Sequence, residues 1–379
     1  MARAALKILV LSAALGIAWQ SARPGPAQQV ATAREVPVTR AASAAGGQFR
    51  GMAIQLHGGA EVYDHYHDLI PEIRALGADT VLLVVHGWQT HGGSLDLHID
   101  PRKTASAEGL GKLCDLAASA GLRVILMPVV LLEEPRNKEW RGKIIPEGQD
   151  WDTWFRRYTR FVVHFARIAE KHNVEVLIVG SELIKTEVHT ERWLKVIEEV
   201  RQNYRGALAY SANWDHYQTT KIGFWRELDY VGMTSYYELA EAANPEREEV
   251  DANWSKIKKE ILAFCEEVRK PIIFTEVGWC SQEGAAHEGW NYYANQKATE
   301  AGQREQALLY ESFIDAWAEE SAIGGIIWWE WDKSAGGATD YNYTPRGKLA
   351  ETVLRKWFGS ERIDGKSSGK AGAAGVVGN

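Results

Sequence analysis

The chain has 379 residues, 45% of them hydrophobic and 25% charged, a balance that supplies apolar material for one large globular core. Its formal net charge of −7 offers no basic field, which argues against nucleic acid or an anionic membrane surface as partner. The three cysteines, Cys114, Cys265 and Cys280, form no zinc spacing and cannot all pair, so neither a disulfide framework nor a structural metal is expected.

Arg3 and Lys7 precede the apolar stretch ILVLSAALGIAW at 8–19, too short and poorly flanked for a membrane span. It suits a secretory signal over 1–27, cleaved near Ala22 or Ala27, and so a secreted or periplasmic mature chain. Residues 28–48 and 359–379 are low in large apolar groups and read as a flexible linker and a disordered tail. Between them, 49–358 reads as one domain.

Within that domain eight apolar runs have strand character: 51–58, 79–88, 122–131, 174–183, 206–214, 229–237, 271–279 and 324–331. Helical spacing of apolar residues predicts helices over 66–78, 109–121, 153–173, 190–204, 254–270 and 303–321, with room only for a helical turn around IGFWREL, 222–228. Several helical segments end in Gly or Asn, the expected stop before a new strand. Strand then helix, repeated with strands apolar enough to be covered on both faces, predicts an α/β protein built as a single (β/α)₈ barrel. The rival, a doubly wound open sheet, lacks a Gly-rich phosphate loop after the first strand.

Two of the runs, VEVLIVGSEL and KPIIFTEVGW, carry carboxylates at their ends: Glu182 on the fourth strand and Glu276 on the seventh. In a barrel these positions open onto the mouth, where catalytic groups sit. Either glutamate alone has a plain explanation in a salt bridge or a helix N-terminus. Together, facing across one pocket, they can cleave a glycosidic bond, one as proton donor and the other as nucleophile or as base for water. A separation of about 5 Å implies retention through a covalent intermediate, and about 6.5–9.5 Å implies inversion.

The blocks WRGKI, VGSEL, FWRELDYVG, TSYYEL and KPIIFTEVGW, in this order over about 50–358, resemble glycoside hydrolase family 113 of the retaining clan A, whose characterised members are β-1,4-mannanases. The resemblance implies Glu182 as general acid/base, Glu276 as nucleophile and Tyr236 as the hydroxyl that orients Glu276. Two departures stand out. Ser181 occupies the place of the asparagine common elsewhere in the clan, and LMPVV at 126–130 is apolar where polar side chains are expected around the proline.

Large aromatic faces either fill cores or serve as platforms for sugar rings. Candidate sugar contacts are Ser181, His86, Trp88 and Gln89 on strand two, Asn213 and Trp214 on strand five, Trp279 after strand seven, and Trp329 and Trp331 on strand eight. Alternation along WWEW puts Trp329 and Trp331 on one side, with Trp329 as the floor beneath the reacting sugar, and turns Trp328 toward the helices; Tyr237, opposite Tyr236, is expected to pack. Trp140, Trp151 and Trp290, in the loops at 132–150 and 281–300, are open between sugar platform and loop anchor.

Six of the eleven histidines crowd between His57 and His98, which raises a metal-dependent barrel hydrolase as an alternative. DHYHDL lies at a helix start, where residues two apart face different directions, and His57 shows no second ligand at metal spacing. A secreted carbohydrate-binding protein on a disabled barrel is the other alternative. The expectation is therefore a monomeric retaining glycoside hydrolase with a carbohydrate substrate and no cofactor or metal.

Overall fold

In TVLLVVHGWQ, successive side chains alternate between two apolar environments: Leu82 and Val84 join an inner cluster, while Val81, Leu83 and Val85 join an outer one. The same division recurs around the sheet, since the inner cluster also takes Ala53, Ile125, Met127, Val176, Ile178, Ala209 and Ile327. A strand covered on both faces has no polar side to show, which is why these runs read as nearly continuous hydrophobic sequence. The computed structural model describes residues 47–219 and 221–360. The expected signal sequence, nearly all of the linker and all but two residues of the tail lie outside the described residues.

The strands are β1 (Phe49–Gln55), β2 (Thr80–Gln89), β3 (Arg123–Leu132), β4 (Val176–Ser181), β5 (Ala207–Ala212), β6 (Tyr230–Thr234), β7 (Ile272–Val277) and β8 (Ile323–Trp328). They pair in parallel in chain order and β1 pairs with β8, closing the barrel. All eight predicted runs are therefore strands. Just before β1, the Gln48 side chain donates to Ile323 O at 3.2 Å.

The helices are α1 (Val62–Tyr66), α2 (Leu69–Ala75), α3 (Ala107–Ser119), α4 (Trp151–Lys171), α5 (Thr190–Asn203), α6 (Arg247–Val268), α7 (Glu300–Trp317) and α8 (Leu349–Phe358). The first predicted helix, 66–78, forms as α2, and α1 precedes it, sharing only Tyr66 with it; the two stay separate because Pro71 has no N–H for the carbonyl of His67 and its ring crowds that carbonyl. Sequence spacing missed α8, whose buried Ala350, Leu354, Trp357 and Phe358 close the eighth unit. IGFWREL is a single turn of 3₁₀ helix, Trp225–Glu227. Side-chain caps fix where three helices begin: Ser106, Asp150 and Thr299 accept from Gly109 N, Thr153 N and Gly302 N.

Much of the aromatic content fills the layer between barrel and helices, where Trp154, Trp193, Trp254, Trp279, Trp317 and Trp328 are fully buried. Cys114, Cys265 and Cys280 are buried and unpaired. None of the described helices is long and apolar enough to cross a membrane.

Candidate active site

At the end of β4 the chain turns sharply out of the sheet. Glu182 takes a left-handed backbone conformation, φ 52°, which costs a non-glycine residue on the order of 1 kcal/mol. Two hydrogen bonds hold it there: Glu182 N donates to Ser211 O on β5 at 2.8 Å, and Leu183 N donates to the Tyr210 hydroxyl at 3.0 Å. The Tyr210 hydroxyl in turn donates to Glu187 Oε1 at 2.7 Å. Burial pushes the Glu187 carboxyl up to about 7, against the Tyr210 hydrogen bond, which lowers it. The buried Glu182 side chain thus points from a braced turn, and its Oε1 accepts from Asn213 Nδ2 at 2.9 Å and from Thr234 Oγ1 at 3.1 Å.

Glu276 lies beside Thr234 in the β6–β7 ladder and is also buried. Its Oε2 accepts from the Tyr236 hydroxyl at 2.9 Å, so Tyr236 meets the carboxylate that the resemblance assigned to it. Burial, followed by the charge of Glu182, pushes Glu276 up to about 8, against the lowering effects of Arg141 and the Tyr236 hydroxyl. Beyond β7 the backbone of Gly278 passes so close to β8 that a Cβ there would stand 2.2 Å from Trp329 O. Only glycine allows that approach, which sets Trp329 beside the seventh strand end.

Between the two carboxylates stands Arg141, from the WRGKI block in the β3–α4 loop. Its Nη2 is hydrogen-bonded to Glu182 Oε2 and lies 3.9 Å from Glu276 Oε1. The loop that carries it is tied to the end of β2: Glu133 N donates to Gln89 O, Ile145 N to Gly92 O and Glu147 N to Gly93 O, at 2.8–3.0 Å. Trp140 packs under Gly142 with its ring 5.8 Å from the Arg141 guanidinium, so it anchors this loop. Arg141 thus brings a cation to the mouth from the loop that follows the apolar LMPVV segment of β3. Sequence reading passed over Arg141, because the fact that it reaches the mouth depends on the path of a long loop.

The other expected contacts divide. Asn213, Trp214 and Trp329 gather around the carboxylates; Trp214 and Trp329 border a small cluster of Tyr236, Cys280 and Tyr343. His86 is buried, stacks on His57 at 4.7 Å, and is lowered to about 3 by burial and then by the charge of His57, so it is a neutral ring at neutral pH. Trp88 is half-buried under the Lys103 ammonium, 4.7 Å from its ring. Ser181 is buried with its Oγ unpaired, and Asn213 makes the amide contact to Glu182.

Three expectations are corrected. Gln89 faces the helices, accepting from Trp154 Nε1 at 3.0 Å, because at the end of β2 its side chain points outward. Trp279 is fully buried between Trp254, Tyr310 and Phe313, since the chain after β7 folds back over α6 and α7. Trp331 is buried too, donating from Nε1 to Glu72 at 2.9 Å under the Arg346 guanidinium. Strand alternation does not reach it, because β8 ends at Trp328. Trp328 itself stacks on Tyr310 of α7 at 4.2 Å, and Tyr237 packs against Trp254, both on the helix side. Trp151 packs on Trp154 and His189 as a loop anchor.

A third carboxylate, Glu330, also went unnoticed in the sequence. Gln55 Nε2 donates to both of its oxygens at 2.9 and 3.1 Å, and burial pushes it up to about 7. Spacing does not point to it, since alternation along WWEW gives Glu330 the side of Trp328, toward the helices. Among the described residues no group of three or more His, Cys, Asp or Glu side chains is placed to hold a metal ion.

A model of glycoside hydrolase family 113 matches residues 63–348. Among solved structures, the chain is similar to a family 113 β-1,4-mannanase solved as a complex, with 25% identity and TM-score 0.73, covering 83% of this chain and 100% of that one. It is similar also to the family 113 β-mannanase of Alicyclobacillus acidocaldarius, with 27% identity and TM-score 0.72, covering 82% and 97%. An endo-β-1,4-mannanase from Thermotoga petrophila shares the fold at 10% identity and TM-score 0.54, covering 82% and 76%. Among curated proteins none matches the chain in sequence. The sequence match spans most of the barrel and includes both strand-end glutamates, so the chain belongs to glycoside hydrolase family 113.

Proposed function

We propose that this glycoside hydrolase cleaves β-1,4-linked mannan-type chains with retention, by double displacement, after export from the cytoplasm. The observation that carries the mechanism is the reach of one guanidinium nitrogen to both carboxylates. Since Nη2 is hydrogen-bonded to Glu182 Oε2 and 3.9 Å from Glu276 Oε1, those two oxygens are no more than about 7 Å apart. That upper bound leaves out most of the range of about 6.5–9.5 Å that an interposed water needs, which favours direct attack. The substrate class rests on the likeness to β-1,4-mannanases, and the cellular location on the apolar stretch at 8–19.

In this reading Tyr236 holds Glu276 Oε2 and leaves Oε1 to attack the anomeric carbon. Glu182 gives its proton to the glycosidic oxygen as that bond breaks. It then takes a proton from water, which displaces Glu276 and restores both groups. Asn213 and Thr234 keep Glu182 aimed throughout, and Trp329 forms the floor under the reacting sugar. Glu330 and Gln55, beside that floor, accept from and donate to sugar hydroxyls.

The pair must also place its proton correctly. Burial of Glu276 favours its protonated form, whereas attack requires it ionised. Arg141 stands where the anomeric centre must enter, so a bound sugar moves the guanidinium off Glu182. With that cation gone, the proton passes to Glu182, and the positive charge developing on the sugar favours the anion at Glu276.

Hydrolysis of a panel of β-mannan, glucomannan, xylan and β-glucan, with the anomer of the first product followed by NMR, tests the reading. Release of β-anomer from mannan is expected. An α-anomer at early times would exclude double displacement, and cleavage of xylan alone would move the substrate class while keeping the mechanism. A protein that binds these polymers and releases nothing would be a binding module.

A further inference from the structure

The rings of this protein are mostly covered, yet three of the six exposed large apolar side chains among the described residues stand in one short stretch. Trp290 is 42% exposed, Tyr292 54% and Tyr293 55%. All lie in the loop between β7 and α7, and Tyr293 meets both of the others edge to face, with ring centroids 6.4 and 5.1 Å apart. Such mutual contacts limit the rotamers each ring can visit.

The loop is also held from beneath by a buried polar group. Gln282 is fully covered; its Nε2 donates to Tyr292 O at 3.0 Å and its Oε1 accepts from Asn295 N and Gln296 N, each at 2.8 Å. Burying an amide is tolerable only when its hydrogen bonds are made, and here they are spent on the backbone that presents the rings. Surface rings without a partner would not call for such an anchor.

Gly289, one residue before Trp290, connects the stretch to the catalytic carboxylates. Its carbonyl accepts from the Tyr343 hydroxyl at 2.8 Å, and Tyr343 lies against Tyr236 with ring centroids 6.3 Å apart. A Cβ on Gly289 would stand 2.9 Å from Trp279 Nε1 and 3.7 Å from Tyr236 Cα. The aromatic stretch thus begins in contact with the tyrosine that holds Glu276 and continues outward from it.

We propose that Trp290, Tyr292 and Tyr293 form a distal sugar-binding rim that engages units of the same polymer beyond the one being cleaved. Pyranose rings carry apolar C–H faces that stack on aromatic rings while their hydroxyls remain in water, which is the chemistry an exposed, braced aromatic edge can recognise. The rim rests on the glycosidase reading and adds to it a preference for long substrates.

The test compares wild type with W290A/Y292A/Y293A in the full mature chain. The expected result is a fall of about tenfold or more in the ratio of kcat/KM on polymer to kcat/KM on an aryl β-mannoside. Leu349→Ala, which removes an equally exposed apolar side chain on α8, serves as the control and leaves that ratio within about twofold. A triple variant whose ratio also stays within about twofold of wild type overturns the rim. Retention of the inactive Glu276→Gln protein in native gels containing mannan, glucomannan, xylan or β-glucan reads the rim without turnover. Retention lost with the three rings upholds it; retention unaffected by them, or absent with every polymer, overturns it. Failure of wild type to hydrolyse any polymer would instead count against the glycosidase reading, and the gel result would still decide the rim.

Discussion

Glu276→Gln is expected to lower kcat on any substrate by about 10⁴-fold or more, since glutamine keeps the shape of the side chain opposite Glu182 but lacks the anionic oxygen that takes the anomeric carbon. The same substitution is expected to make the protein more stable at alkaline pH. Glu276 is pushed from an ordinary 4.5 up to about 8, first by burial and then by Glu182, so ionising it inside the fold is unfavourable. The sign follows from linkage: the folded pKa lies above the unfolded one, so the destabilisation is absent below about 4.5, grows with rising pH and is complete above about 8. Glutamine never ionises and escapes it. We expect the variant's thermal midpoint to exceed that of wild type by about 2–5 °C at pH 8.5 and to match it near pH 4. Scanning calorimetry at the two pH values checks this, and a variant less stable than wild type at pH 8.5 would refute the burial argument. Wild-type turnover in the variant would remove Glu276 from the mechanism.

Glu182→Ala tests the other half of the pair. A general acid matters in proportion to how poorly the leaving group departs alone. On polysaccharide, whose leaving group is an alkoxide, the loss in kcat/KM is expected to reach about 10³-fold or more, whereas 2,4-dinitrophenyl glycosides should lose about tenfold or less in the glycosylation step. Those activated substrates should then show a burst, because the glycosyl group on Glu276 waits for water that no base activates. Azide, which needs no base, should speed that second step and yield the β-glycosyl azide. Equal losses on both substrate types, with no azide effect, would refute an acid/base role for Glu182. Because this side chain also anchors Arg141, Asn213 and Thr234, the comparison between leaving groups is more telling than the loss on either one.

Arg141 makes these two experiments depend on each other. Its guanidinium spans the gap that substrate must occupy, and its carrier loop is fixed to the end of β2 by backbone hydrogen bonds. The buried Glu187–Tyr210 pair beneath Glu182 acts differently, bracing the left-handed turn so that the carboxylate stays aimed when its cation leaves.

The barrel was legible in the amino-acid sequence because each strand is buried on two faces and each helix on one, and both leave a period in the order of apolar residues. Glu182 and Glu276 were legible for a related reason: a carboxylate that ends an apolar run interrupts that period at the place where a strand leaves the core. Tyr236 followed from the resemblance of TSYYEL to the family, and Asn213 from its place at the end of the fifth apolar run. Tertiary structure alone decided the rest. Gln89, Trp279 and Trp331 sit near strand ends, yet their side chains turn into the helix layer: Gln89 shares the outward side of β2 with Val81, Leu83 and Val85, whereas at Trp279 and Trp331, beyond the ends of β7 and β8, the direction in which the chain turns carries no period. Arg141, Glu330 and the Trp290 rim reach their places through loops tied to residues far along the chain, as Ile145 is to Gly92, Glu330 to Gln55 and Gly289 to Tyr343, and only folding brings such partners together.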